Sequence, residues 1–184
     1  MLRPKFEKGF KIMKVYFSHG KESGPWGNKI KRLAAIASAH GCEAESIDYS
    51  DTYDPDLRVE RLVSILKNEN EKCILVGSSM GGYVSLMASG EAETHAVFLL
   101  APALYMRGYK EEYPIGHRHL EIVHGWSDDI IPPEHSIRYA KEADCTLHLI
   151  SGDHPLNSSI EVVEGLFEGF LERALSEIGQ LALG

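Results

Sequence analysis

The sequence predicts a single α/β domain in which helices cover both faces of a mainly parallel sheet. Short apolar runs alternate with helical patterns along the 184 residues. Most of these runs are too continuous for a sheet with one wet face, which favours parallel strands that are buried on both sides. The β-α-β order implies right-handed crossovers. We therefore expect a three-layer α/β/α sandwich of about six strands that spans residues 1–184.

The composition narrows the possible partners and locations. A net charge of −8 works against nucleic acid or an anionic membrane as partner. Residues 1–9 mix charges and lack the apolar segment of a secretory signal, and no run approaches the length of a membrane span. The cytoplasm is therefore the predicted location. The three cysteines are odd in number and lack metal-like spacing, which predicts buried free thiols.

Six apolar runs are predicted as strands. They are Ile12 to Phe17, Ala44 to Tyr49, Cys73 to Val76, Ala96 to Leu100, Leu120 to Val123 and Thr146 to Ile150. Helical patterns lie between them. A first helical face carries Trp26, Ile30, Leu33, Ala34 and Ala37, with Gly41 as terminator. An Asp-Pro start predicts a helix over residues 54–67, and Pro132-Pro133 starts another over 132–143. A Ser158-x-x-Glu161 capping box starts the last, with a buried stripe over 160–178.

The third strand runs directly into a glycine-rich turn. The sequence Gly77-Ser78-Ser79-Met80-Gly81-Gly82 is followed by a helical pattern, so that G-x-S-x-G stands between a strand and a helix. In an open parallel sheet, ligands bind beyond the carboxyl ends of the strands. We therefore predict Ser79 as a nucleophile, while Ser78 occupies the x position. The alternative is a turn that merely starts a helix.

An acid and a base follow in the chain order that a G-x-S-x-G hydrolase needs. Two aspartates after the fifth strand compete for the role of the acid. Asp128 is favoured and Asp129 is the alternative. His154 follows the last strand and is the natural general base, since imidazole exchanges a proton readily near neutral pH. Both aspartates could instead be solvated loop carboxylates.

The other histidines fit the role of base less well. His19 and His124 each precede a glycine in a tight turn, where an imidazole more often bonds the local backbone. His117-x-His119 has a spacing that could bind a metal, but no third ligand is evident. We therefore predict no metal and no cofactor.

The turn after the first strand is expected to complete an oxyanion hole. The N–H of Met80, next to the nucleophile, would be one donor, and the N–H of Lys21, after His19-Gly20, would be the other. The alternative is a loop without a catalytic task. A substrate pocket could include Trp126, Tyr105, Met106 and Tyr109, or these could be ordinary packing residues.

These motifs together resemble the α/β-hydrolase superfamily over nearly the whole chain. The sequence is most similar to small esterases without a lid, such as the YqiA-like esterases and dienelactone-hydrolase-like proteins. The resemblance implies a triad of Ser79, Asp128 and His154 with Met80 and Lys21 as oxyanion donors. No counterpart of the N-terminal strand pair of larger members is predicted in this sequence, so the resemblance implies a minimal sheet of about six strands. Lys21 is charged where many relatives carry an apolar residue. Dienelactone hydrolases use a cysteine nucleophile, so that particular activity is not implied.

The sequence therefore predicts a serine hydrolase that acts on small carboxylic esters or thioesters through an acyl-enzyme. Residues 101–119 are too few for a lid of several helices, so an open site and a small-molecule substrate are expected. A catalytically silent ligand- or protein-binding module is the alternative, since hydrolase folds also serve that purpose. Lyase or perhydrolase chemistry on the same triad is a third possibility. The sequence does not predict the oligomeric state.

Overall fold

The computed structural model describes the backbone of residues 12–181 and the side chains of residues 12–177. The predictions made for residues 1–9 and for the side chain of Ile178 lie outside these ranges. Six strands form one parallel sheet in the order β2-β1-β3-β4-β5-β6. The strands are β1 (Lys14–Ser18), β2 (Glu43–Ile47), β3 (Cys73–Ser78), β4 (Thr94–Leu100), β5 (Leu120–Gly125) and β6 (Thr146–Ile150). The predicted sheet is therefore confirmed.

Five helices cover the sheet. They are α1 (Asn28–Ala39), α2 (Pro55–Leu66), α3 (Met80–Ser89), α4 (Pro133–Ala143) and α5 (Ile160–Leu181), with a 3-10 turn over Asn157–Ser159. Alternate residues of the strands enter two separate cores. In β1, Tyr16 packs with α2, α3 and α4, whereas Val15 and Phe17 pack with α1 and α5. Both faces of the sheet are thus apolar, which is why the strands appear in the sequence as unbroken apolar runs.

The helix starts differ from the predicted ones in two places. Trp26 precedes α1 and is 44% exposed, so it does not belong to the buried face of that helix. Ser158 lies inside the 3-10 turn, and α5 begins after it at Ile160. The start of α2 is as expected, because the Asp54 carboxylate accepts hydrogen bonds from the N–H groups of Asp56 and Leu57.

The cysteines are free thiols in the positions that the sequence predicts. Cys42 and Cys73 are buried and Cys145 is partly buried. Burial raises the pKa of Cys42, and it raises the pKa of Cys145 to about 11 and that of Cys73 to about 12. These thiols stay protonated at neutral pH and are poor nucleophiles.

Among the described residues, no helix has both the length and the apolar character needed to cross a bilayer.

In the strand order, β1 and β3 are neighbours, and the connections that leave them lead towards opposite edges of the sheet. This point, where the order of the strands reverses, is where open parallel sheets bind ligands. There α3 starts very close to β1. A Cβ on Gly81 would collide with the carbonyl of Ser18, and a Cβ on Gly77 would collide with the carbonyl of Gly81. The start of α3 can therefore lie against β1 only because these two positions have no side chain.

This packing predicts that two glycines in helices respond oppositely to alanine. Gly81→Ala should destabilise the protein by about 1–3 kcal/mol or more, because a Cβ has no room beside Ser18. Gly165→Ala in α5 is the matched control, since nothing lies within 4 Å of its Cβ position. It should stabilise the protein by up to about 1 kcal/mol through helix propensity. Urea unfolding measures both, and equal effects would contradict the proposed close contact.

Candidate active site

Ser79 lies in the turn between β3 and α3 with a backbone conformation that non-glycine residues rarely adopt. Its φ and ψ angles are 57° and −122°. The turn is held by hydrogen bonds to the end of β4. The Ser79 N–H donates to the Leu100 carbonyl at 2.9 Å, and the Ser79 carbonyl accepts from the Ala103 N–H at 3.0 Å. The surrounding structure therefore maintains a strained conformation at the carboxyl edge of the sheet.

The structure brings Ser79, His154 and Asp128 into one chain of hydrogen bonds. His154 Nε2 lies 3.0 Å from Ser79 Oγ, and His154 Nδ1 lies 2.7 Å from Asp128 Oδ2. Because a carboxylate only accepts, Nδ1 is the nitrogen that donates to Asp128, and Nε2 is the nitrogen that faces the Ser79 hydroxyl. This arrangement fits a serine nucleophile with its general base. Asp129, the alternative acid, is exposed.

The Asp128 side chain is completely buried. Its Oδ1 accepts the N–H groups of Ile130 and Ile131 at 2.9 and 2.8 Å. Burial alone would raise the pKa of Asp128, but the Ile131 N–H, His154 and the Ile130 N–H together hold it below its usual value. The carboxylate therefore stays ionised and can balance a positive charge on His154.

His124 is a further member of the site that sequence reasoning missed. Its Nε2 lies 3.0 Å from both Asp128 Oδ2 and the Ile131 carbonyl, and its Nδ1 lies 2.7 Å from Ser136 Oγ. Both partners of Nε2 only accept, so Nε2 carries the proton and Nδ1 accepts from Ser136. Burial lowers the pKa of His124. A neutral imidazole thus donates to Asp128 Oδ2, the same oxygen that His154 contacts, and helps to orient the carboxylate.

Two loops at the ends of β5 and β6 hold the acid beside the base. The N–H of Trp126 donates to Ile150 and that of Ser127 donates to Gly152, both at 2.9 Å. Lys29 of α1 donates from Nζ to the Pro155 carbonyl at 2.9 Å, directly after His154. Burial lowers the pKa of Lys29 to about 8. Lys29 thus connects α1 to the residue that follows His154.

The two residues expected to supply oxyanion donors, Met80 and Lys21, follow β3 and β1, which are neighbouring strands. Met80 is the first residue of α3, so its N–H has no acceptor within the helix. In the turn after β1, a Cβ on Gly20 would lie 3.6 Å from the Cβ of Ser79. The Lys21 side chain is exposed, with Nζ 5.6 Å from the centre of the Tyr53 ring. The Lys21 backbone therefore follows a glycine that lies close to Ser79, while the Lys21 ammonium lies near Tyr53.

His19 behaves as its place in a tight turn predicts. Nδ1 donates to the Gly20 carbonyl at 2.7 Å, and Nε2 accepts the Tyr49 N–H at 3.0 Å. Both ring nitrogens of His19 are thus hydrogen-bonded to backbone groups.

Within the described part of the chain, no group of three or more His, Cys, Asp or Glu residues could hold a metal.

The four expected substrate-contact residues differ in their surroundings. Trp126 is 58% exposed beside the Asp128 loop. Tyr105 donates from its hydroxyl to Glu142 at 2.7 Å, and Arg138 lies 3.9 Å from the centre of its ring. Met106 and Tyr109 pack against the core that contains α3. Residues 101–119 form no helix, which agrees with a fold that has no lid domain.

The buried histidines predict a loss of stability in acid. The pKa values of His124 and His19 both lie below the ordinary 6.5 because the rings are buried. The unfolded chain takes up protons at pH values where the folded protein does not. The free energy of unfolding should therefore be undiminished above about pH 6.5 and fall below it, by up to about 1.4 kcal/mol per pH unit for each group.

Thermal unfolding between pH 7.5 and 5 measures this slope. His124→Asn should flatten it, whereas the control His40→Asn should not, since His40 lies outside the site, 3.2 Å from the Glu168 carboxylate. Equal slopes in the wild type and the His124 variant would show that the folded protein protonates His124.

Solved structures with this fold support the same architecture. A protein from Xanthomonas campestris pv. campestris, assigned to the alpha/beta hydrolase superfamily, is 28% identical, with a TM-score of 0.77 over 88% of this chain and 99% of the other. Est1E from Butyrivibrio proteoclasticus is 17% identical, with a TM-score of 0.76 over 92% and 90%. An α/β serine hydrolase without a lid, also from Xanthomonas campestris, is 20% identical, with a TM-score of 0.65 over 91% and 85%.

Sequence comparison identifies the family. None of the curated proteins matches the chain significantly. A family profile described as the uncharacterised protein family UPF0227 matches residues 13–147, which is most of the chain. The predicted relationship to small hydrolases without a lid is confirmed by this match together with the structural neighbours. The chain therefore belongs to the UPF0227 family and has the α/β-hydrolase fold.

Proposed function

We propose that the protein is a serine hydrolase that cleaves small carboxylic esters or thioesters. The observation that carries the proposal is the chain of hydrogen bonds from Asp128 through His154 to Ser79, which ends on a strained turn. Side chains that only packed together would not need this alignment of base and hydroxyl. The solved neighbours assigned to hydrolases support hydrolysis as the general reaction.

The proposed reaction proceeds through an acyl-enzyme. His154 Nε2 accepts the Ser79 proton as Oγ bonds to the carbonyl carbon, and the Met80 and Lys21 N–H groups stabilise the resulting oxyanion. His154 then gives that proton to the leaving oxygen or sulfur as its bond to carbon breaks. Water loses a proton to His154 as it attacks the acyl-enzyme, and the proton returns to Ser79 as the acid departs.

The surroundings of the triad favour small substrates in an open site. Trp126 and Ile130 are both 58% exposed on the loop that carries Asp128. They offer apolar surface to an acyl or alcohol group, and Tyr105, Met106 and Tyr109 are proposed to extend it. The neighbour Est1E binds ferulic acid, a small carboxylic acid of the kind that ester hydrolysis releases. A cytoplasmic location and the absence of a cofactor stay predictions.

Two adjacent serines test the nucleophile. Ser79→Ala should lower kcat/KM for short-chain p-nitrophenyl esters by at least about 10⁴-fold, since a triad acts as a unit. Ser78→Ala is the control at the neighbouring position and should stay within about threefold of the wild type. Hydrolysis across a panel of chain lengths measures both. A folded wild-type protein that cleaves no ester or thioester would favour the binding-module alternative.

Two adjacent aspartates test the acid. Asp128→Asn should lower kcat by about 10⁴-fold, because an amide favours the wrong tautomer of His154. Asp129→Asn should leave kcat nearly unchanged, since its side chain is exposed. Steady-state kinetics with the best ester of the panel measures both variants. A larger loss in the Asp129 variant would reverse the assignment of the acid.

A further inference from the structure

Arg58 of α2 is a completely buried arginine that lies 5.3 Å from the centre of the Tyr49 ring and donates hydrogen bonds to backbone carbonyls. Its three nitrogens make six hydrogen bonds, at 2.7 to 3.3 Å, to five carbonyl oxygens. These belong to His19, Gly20, Lys21, Tyr49 and Thr52. A guanidinium stays protonated in proteins, so its N–H groups all need acceptors. The acceptors are backbone carbonyls in the loops after β1 and β2, so the Arg58 side chain and the conformation of these two loops depend on each other.

Three of the five carbonyls belong to the turn after β1. Arg58 Nη1 lies 3.3 Å from the His19 oxygen and 3.2 Å from the Gly20 oxygen, and Nη2 lies 3.3 Å from the Lys21 oxygen. In a planar trans peptide, the C=O of one residue and the N–H of the next point in opposite directions. The N–H groups of Gly20, Lys21 and Glu22 therefore point away from the guanidinium.

The peptide between Gly20 and Lys21 is held most firmly. Its oxygen accepts from His19 Nδ1 at 2.7 Å, from Arg58 Nη1 at 3.2 Å and from Ser23 Oγ at 3.5 Å. Gly20 itself lies against the nucleophile, as its Cβ position 3.6 Å from Ser79 Cβ shows. Glycine has unusual backbone freedom, so an unanchored peptide at this point could rotate its N–H away from the substrate.

We propose that Arg58 is a positioning residue that fixes the Gly20–Lys21 peptide so that the Lys21 N–H serves as an oxyanion donor. This inference rests on the proposed hydrolase function. It adds to that site a residue of α2, a helix that carries none of the three triad residues. Arg58 touches no reacting atom. It acts by removing rotational freedom from the peptide, so that the donor is already in place when charge develops on the substrate oxygen.

Substitutions at Arg58 test the proposal, with Arg61 as the matched control. Arg61 lies on the same helix, but its side chain is 35% exposed and pairs with Asp51. Arg58→Met should lower kcat for the best short-chain ester by about 10² to 10³-fold, as the loss of one oxyanion donor does, with KM changed less than about threefold. The kcat of Arg58→Lys should lie between that of the wild type and that of Arg58→Met, since the single side-chain nitrogen of lysine reaches fewer carbonyls. Arg61→Met should keep the wild-type kcat.

The affinity for an aryl trifluoromethyl ketone separates positioning from a general structural role. This inhibitor forms a tetrahedral oxyanion on the nucleophile and needs the same donors as the transition state. Its Ki should rise in Arg58→Met in proportion to the loss of kcat/KM. A folded variant that keeps its kcat, or that loses kcat without any change in Ki, would overturn the proposal.

A measurement on the wild-type protein decides the matter if the variants do not fold. When the ketone binds, the amide protons of Met80 and Lys21 should both move downfield in the NMR spectrum. The Arg58 guanidinium protons should move as well, since a polarised peptide accepts a stronger hydrogen bond. A shift at Met80 without shifts at Lys21 and Arg58 would refute the role of Arg58 and leave the hydrolase intact. A ketone that does not react with Ser79 would refute the hydrolase itself.

Discussion

The site depends on how closely the start of α3 approaches β1. Because Gly77 and Gly81 have no side chains, the first turn of the helix can rest on the carbonyl of Ser18. At this edge of the sheet, hydrogen bonds to Leu100 and Ala103 hold Ser79 in its strained conformation. Gly20, in the turn after β1, lies against the nucleophile. The close approach of α3 to β1 thus places Ser79 and the turn that contains Gly20 next to each other.

Hydrogen bonds from buried polar groups fix the other members of the site. Asp128 is held on one oxygen by backbone N–H groups and on the other by the two histidines, His124 and His154. Arg58 holds loop carbonyls in a similar way on the opposite side of the nucleophile. A buried polar group that lacks a partner is costly, so these contacts leave few alternative arrangements. Rigid positioning of this kind is what an oxyanion hole and a triad require.

The strands could be predicted, and Ser79, Asp128 and His154 proposed as a triad, because their sequence signals are local. Apolar runs, a G-x-S-x-G turn and the residues at strand ends can be recognised without knowing the three-dimensional contacts. Arg58 and His124 could not be found in this way. Arg58 lies within an ordinary amphipathic helix, and its partners in the first turn are 37 to 39 residues away. His124 was assigned to the local backbone, and its contact with Asp128 depends on how the loop folds back. Trp26 was placed on a helical face because its spacing fits, although the chain becomes helical only at Asn28.

The most direct test of the account is the site at which an organophosphate reacts. The intact protein would be treated with diethyl p-nitrophenyl phosphate, and its mass and peptide map would be measured. The account predicts that one diethylphosphoryl group is added to the folded wild type, on Ser79. No such addition is predicted for Ser79→Ala or for wild-type protein that was denatured before treatment. Modification of another residue, or none in the folded wild type, would contradict the claim that this turn carries an activated nucleophile.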